Sequence, residues 1–182
     1  MEWVRDELPA AAKDLRLNLS SVLRGEHLNE RQLYGTLVSC AFAARNAELL
    51  AAAEEEASGK LSDDDIALAK SVAATMGMNN VYYRFLHLVE DPEYGQMPAR
   101  LRMQALGGAA DDEDKRDREL WALAVSAVNG CGQCIQAHEQ TVRSHGGSKA
   151  MIHEAVRVAS VVAASAAALD AEPSGSNAAK AG

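Results

Sequence analysis

Aromatic side chains are scarce in this chain. Two Trp, four Tyr and two Phe make up 4% of 182 residues, although 48% are hydrophobic. A β-sandwich or barrel fills its layers with aromatic and β-branched residues, so the shortage argues against one. Alanine recurs instead, which suits helices packed closely through small side chains. The expected fold is all-α.

Positive charge is also short, with 18 Lys and Arg against 26 Asp and Glu and a net charge of -8. That excludes the basic footprint nucleic-acid binding requires. The longest alanine-valine run, 155–169, is broken by Arg157 and is too short to span a bilayer, and MEWVRDELPA lacks a signal-peptide core. No membrane association and a cytoplasmic location are therefore expected. Neither a Gly-rich phosphate loop nor a dinucleotide fingerprint is present, so no bound nicotinamide or flavin cofactor is expected. Cysteine occurs three times. In a reducing compartment, a close cysteine pair is more often catalytic or metal-binding than a structural staple.

Two of those cysteines lie in ELWALAVSAVNGCGQCIQAHEQ, residues 119–140, as Cys131-x-x-Cys134 followed by His138. Leu120 to Val128 is apolar nearly all round and predicts a buried helix. Asn129-Gly130 interrupts it: Gly130 takes a positive φ and Asn129 caps a new helix, with Cys131 in its first turn. A helix N-terminus lowers a thiol's pKa, and the thiolate is the nucleophile. Cys131, Cys134 and His138 at i, i+3 and i+7 share one face, which offers a nucleophile, a base and a resolving thiol. Glu119 opens the preceding helix. Where the two helices pack antiparallel or crossed, its carboxylate reaches His138 and fixes the imidazole for proton relay.

Local signals set out the remaining chain. Residues 2–18 read as an amphipathic helix, with Pro9 near its start or at a bend. Arg24-Gly25 marks a turn, and Asn29 with Gln32 is a capping box opening a helix over 31–44. Arg45-Asn46 breaks it before a helix over 47–57, which ends at Ser58-Gly59. Ser62 followed by Asp63, Asp64 and Asp65 opens a helix to Met76; Gly77 ends it and 79–88 begins another. Residues 91–100 read as a loop, 99–106 as a short helix and 107–114 as a solvated linker whose acids have no complement. His145-Gly146-Gly147 turns the chain, Ser148 caps a helix over 149–170, and 173–182 reads as a disordered tail. Cys40 reads as a small buried side chain, His145 and His153 as surface residues, and Tyr82, Tyr83, Phe85, Leu86 and Leu88 as core or a subunit interface.

A faint repeat lays QLYGTLVS, 32–39, over ELWALAVS, 119–126, at a shift of 87. In that register Ala44, Ala47 and Ala51 lie over Cys131, Cys134 and His138. The chain then reads as one helical domain over 1–172 with halves 1–106 and 115–172, the site being in the second.

Structural or zinc-binding cysteines are the plainer reading, but zinc takes four ligands and only Cys40 remains beside the pair. A redox-sensing helical interaction protein is the corresponding non-enzyme alternative.

The run ELWALAVSAVNGCGQCIQAHEQTVR, with MGMNNVYYR at 76–84 and DLRLNLSSVL at 14–23, resembles the alkyl hydroperoxidase D family. These are helical thiol peroxidases of the carboxymuconolactone decarboxylase superfamily. The resemblance implies a single-domain helical bundle in which Cys134 attacks an alkyl hydroperoxide and becomes a sulfenic acid. Cys131 then serves as proton donor and closes the Cys131–Cys134 disulfide, with Glu119 and His138 as proton relay. It also implies re-reduction by a dihydrolipoyl group on an acyltransferase subunit, electron transfer to the peroxiredoxin alkyl hydroperoxide reductase C, and a homotrimer. A narrower form keeps the dithiol as an electron carrier to the peroxiredoxin and drops the peroxidase step. Some members carry histidine between the cysteines, where this chain has Gln133, so no imidazole there adds to thiol acidity.

Overall fold

A computed structural model describes residues 1–172, which form ten α-helices and one 3₁₀ turn, with no strand among the described residues. The expected disordered tail, 173–182, lies outside them. The order is α1 (Glu2–Glu7), the 3₁₀ turn Ala10–Ala12, α2 (Lys13–Val22), α3 (Glu30–Ala44), α4 (Ala47–Ser58) and α5 (Asp63–Val89). Then follow α6 (Pro92–Gln96), α7 (Gln104–Gly107), α8 (Asp112–Val128), α9 (Gly132–Ser144) and α10 (Lys149–Ala171).

Most helix starts obey their local chemistry. Asn29 and Gln32 form a reciprocal capping box on α3, and the side chains of Asn46, Ser62 and Ser148 accept from backbone N–H groups of α4, α5 and α10. The loop expected over 91–100 holds α6, the short helix expected over 99–106 is only α7, and three further expectations fail for physical reasons. The helix expected over 2–18 is split, because Pro9 cannot donate to an earlier carbonyl. The break expected at Gly77 is absent: α5 runs through it for 27 residues. Glycine costs about 1 kcal/mol in a helix interior, and burial of Val72, Ala73, Met76, Asn79 and Asn80 on one face outweighs that. Finally, the acids at 111–114 are no solvated linker. Asp111 caps α8 by accepting from the N–H of Asp114 (2.8 Å), and the other three form its first turn.

α8 is central, packing against α3, α5, α9 and α10, and every residue from Glu119 to Ser126 is buried. Close approach to α3 depends on Gly35, where a Cβ would overlap the indole of Trp121. The seam between α3, α5 and α8 is closed by Arg31. Its guanidinium donates to Asp65 (2.9 Å), Asp114 (2.8 Å) and Asp117 (3.0 Å), and it sits 5.0 Å from the Trp121 ring centroid. Burial lowers the Arg31 pKa but its three carboxylate partners raise it further. Burial likewise pushes the Asp114 carboxyl up, while Arg118, the Ala110 N–H and Arg31 bring it down to about 2.

α10 is long and apolar enough to cross a membrane by length and composition. Here it is a bundle helix, packed on α2, α3 and α8. Cys40 is fully buried, which pushes its thiol up to about 12. Of the residues expected in the core or a subunit interface, Tyr82, Tyr83 and Leu86 are half-buried while Phe85 and Leu88 are exposed, and these two join Val81, Val89, Tyr94 and Met97 in an exposed apolar strip on α5, α6 and the residue after it.

Candidate active site

α8 and α9 meet at a tight corner. Gly130 turns it with φ 69, in the left-handed region where a side chain would be strained. Cys131 itself is the N-cap of α9 rather than a first-turn residue, and its N–H donates to the Ser126 carbonyl at 3.0 Å. Cys134 occupies the first turn. No side chain caps α9, so the positive end of its dipole is left at the sulfurs, where it favours a thiolate. α5 braces the corner: Asn80 Nδ2 donates to Ser126 Oγ (3.0 Å), Asn129 Nδ2 to Asn80 Oδ1 (2.9 Å) and Arg84 Nη1 to the Asn129 carbonyl (2.8 Å).

Cys131 and Cys134 are joined as a disulfide with Cα atoms 5.3 Å apart. They are not equivalent. Cys131 has no exposed surface, whereas Cys134 is 5% exposed and lines a cavity of about 290 Å³. Met76, Asn79, Tyr83, Leu106 and His138 also line that cavity. A larger, open hollow of about 520 Å³ adjoins it, sharing Tyr83 and Gln133.

Glu119 and His138 meet across the α8–α9 contact, with Nδ1 and Oε2 2.5 Å apart. The other carboxylate oxygen accepts from Lys115 Nζ (2.8 Å), which also donates to the Leu106 carbonyl (2.9 Å). Burial pushes the Glu119 carboxyl up, but bonds to His138 and Lys115 outweigh it and hold the group below its ordinary range. An ionised carboxylate on Nδ1 fixes the proton there, leaving Nε2 as the ring nitrogen free to exchange a proton. The four residues singled out in the sequence thus occupy one site: two sulfurs, an imidazole beside the cavity and a carboxylate behind it.

Residues 92–173 match the carboxymuconolactone decarboxylase family. Over 175 residues the chain is 49% identical to the alkyl hydroperoxide reductase AhpD of Azorhizobium caulinodans, covering 96% of each protein. It is 50% identical over 171 residues to that of Rhodopseudomonas palustris (94% of this chain, 93% of the relative) and 48% over 172 residues to that of Streptomyces griseus (94% and 96%). The chain belongs to the AhpD family.

Sequence reasoning missed several residues that shape this AhpD-family site. Met76, Asn79, Asn80, Tyr83 and Arg84 follow i, i+3, i+4, i+7, i+8 spacing, the mark of one helical face. Breaking the helix at Gly77 hid it. Lys115 stands four residues before Glu119, the spacing of a helical ion pair. It was hidden by starting the helix too late.

Proposed function

We propose that this chain is an antioxidant alkyl hydroperoxide reductase working through its Cys131/Cys134 dithiol. The observation that carries the reading is the placement of Cys134, alone of the two sulfurs, on a largely apolar cavity that it shares with His138. The Cys134 thiolate attacks the terminal oxygen of ROOH: an S–O bond forms, the O–O bond breaks, and the sulfur is oxidised by two electrons to a sulfenic acid. The departing alkoxide leaves as ROH with the proton that the Cys134 thiol gave up, carried between them by Nε2 of His138, which Glu119 orients. Cys131 then attacks the sulfenic sulfur, closing the disulfide and releasing water.

Two electrons must return to the disulfide at each turnover. We assign their delivery to a dihydrolipoyl group on an acyltransferase subunit, for which the open hollow beside Gln133 gives an approach. Onward transfer to a peroxiredoxin of the alkyl hydroperoxide reductase C type belongs to the same reading. So does action in the cytoplasm, where a dithiol is kept cycling. The exposed strip from Val81 to Met97 supports self-association, read as a homotrimer, which sedimentation equilibrium measures.

The deciding experiment follows cumene hydroperoxide consumption with dihydrolipoamide as reductant. Wild type turns over and Cys134→Ser falls to background. Equal turnover in the two sinks the assignment. A wild type that reduces a peroxiredoxin yet leaves the hydroperoxide untouched is an electron carrier instead.

A further inference from the structure

Asn79 and Asn80 are neighbours on α5, both buried, and differ in how their amides are used. Asn80 employs its Nδ2 and Oδ1, bridging Ser126 and Asn129. Asn79 makes a single 3.8 Å contact from Nδ2 to the Met76 sulfur, and its Oδ1 has no partner at all. It is 3% exposed and lines the Cys134 cavity. A buried carbonyl without a donor costs about 1–3 kcal/mol, a deficit that a ligand carrying one donor can remove.

An alkyl hydroperoxide carries one donor, the hydrogen on its terminal oxygen. We propose that Asn79 Oδ1 accepts that O–H and so presents the terminal oxygen to Cys134, making Asn79 a substrate-binding residue of the reaction. The inference rests on the peroxidase reading above. With the O–H held by Asn79, the oxygen bearing the alkyl group is left for the donor on His138, and the two contacts sort the attacked oxygen from the leaving one. The hydrogen stays on its oxygen through attack, since thiolate plus ROOH gives S–O–H and alkoxide. The same carbonyl therefore goes on to hold the sulfenic acid until Cys131 displaces hydroxide, which is released as water.

The test pairs Asn79→Leu and Asn79→Ala with wild type, all fully reduced. Stopped-flow oxidation by cumene hydroperoxide should slow about 10- to 100-fold, the worth of one hydrogen bond in a dry site, with KM raised in steady-state turnover. Methyl methanethiosulfonate, which attacks thiolates but donates no hydrogen bond, should react with all three proteins at the same rate. Urea midpoints should hold or rise in Asn79→Leu, because an unsatisfied carbonyl is gone. Unchanged peroxide rates in the variants overturn the proposal, as does parallel slowing with both reagents, which signals a purely structural role. A wild type inert to the hydroperoxide defeats the peroxidase reading itself, a result separable from either.

Discussion

Two corners of the molecule are built alike and finished differently. At the first, α3 ends in Arg45 at φ 63 and Asn46 caps α4; at the second, α8 leads to Gly130 at φ 69 and Cys131 holds the N-cap position of α9 without capping it. Each leads into a helix followed by a longer one that opens on serine, Ser62 for α5 and Ser148 for α10. The difference lies in how the helix N-terminus is used. Asn46 accepts from the Leu49 N–H (2.7 Å) and donates to Asp170 (2.7 Å), so the first corner is closed by its own side chain. At the second, no side chain takes that role, and the amides and dipole remain available to sulfur. Further back, Gln32 is locked into the Asn29 cap and Asp117, while Glu119, its partner in the repeat register, is ionised and bonded to a histidine. One corner turns backbone polarity into stability and the other into reactivity.

Copying the quiet corner onto the active one should have the largest effect. Cys131→Asn supplies the missing cap, so the reduced protein should keep its stability or gain up to about 1 kcal/mol. Dithiol-driven turnover should fall to background, with the Cys134 sulfenic acid persisting to be trapped by dimedone. Glu119→Gln carries the comparison to the relay and should lower kcat/KM about 100-fold or more. Because burial is outweighed by His138 and Lys115 and the Glu119 pKa is lowered, the wild-type contribution should fade only below the ordinary carboxylate range, and the pH–rate profile of the variant should lack that limb.

The reverse disturbance, Asn46→Ala, should cost about 1–2 kcal/mol in urea unfolding while peroxide turnover stays intact. Asp114→Asn loosens the seam between α3, α5 and α8 and should cost about 1 kcal/mol at pH 7, partial solvation trimming the full effect. A carboxyl held at about 2 against an ordinary 3.8 stabilises the fold fully above its unfolded value and loses that contribution as pH falls through its folded one. The gap between wild type and variant should therefore close between about pH 4 and pH 2.

Helix starts were legible wherever a capping side chain announced them, as at Asn29, Ser62 and Ser148. The grouping of Cys131, Cys134 and His138 was legible from their spacing on one helix, while Glu119 stood out chiefly through the family resemblance. Packing hid the rest. Gly77 reads as a stop, and only the buried face of Met76, Asn79 and Asn80 overrides it. Asp111, Asp112 and Glu113 are exposed as their sequence suggests, but Asp114 reads as one more solvated acid only because Arg31, which binds it, is about eighty residues away in sequence. The caps also run out of step with the repeat alignment: the sequence match sets Ala44 against Cys131, whereas the N-cap positions pair Asn46 with it, two residues later. Insertions between distant segments become visible only once the helices are in place.

The unequal burial of the two sulfurs gives the bridge a direction. A thiolate arriving from the cavity can bond only to Cys134, so its mixed disulfide forms there and Cys131 is expelled as the leaving group, at a helix end that stabilises its negative charge. On the proposed reading, hydroperoxide and electron donor both react at the Cys134 sulfur, so each must leave before the other can react.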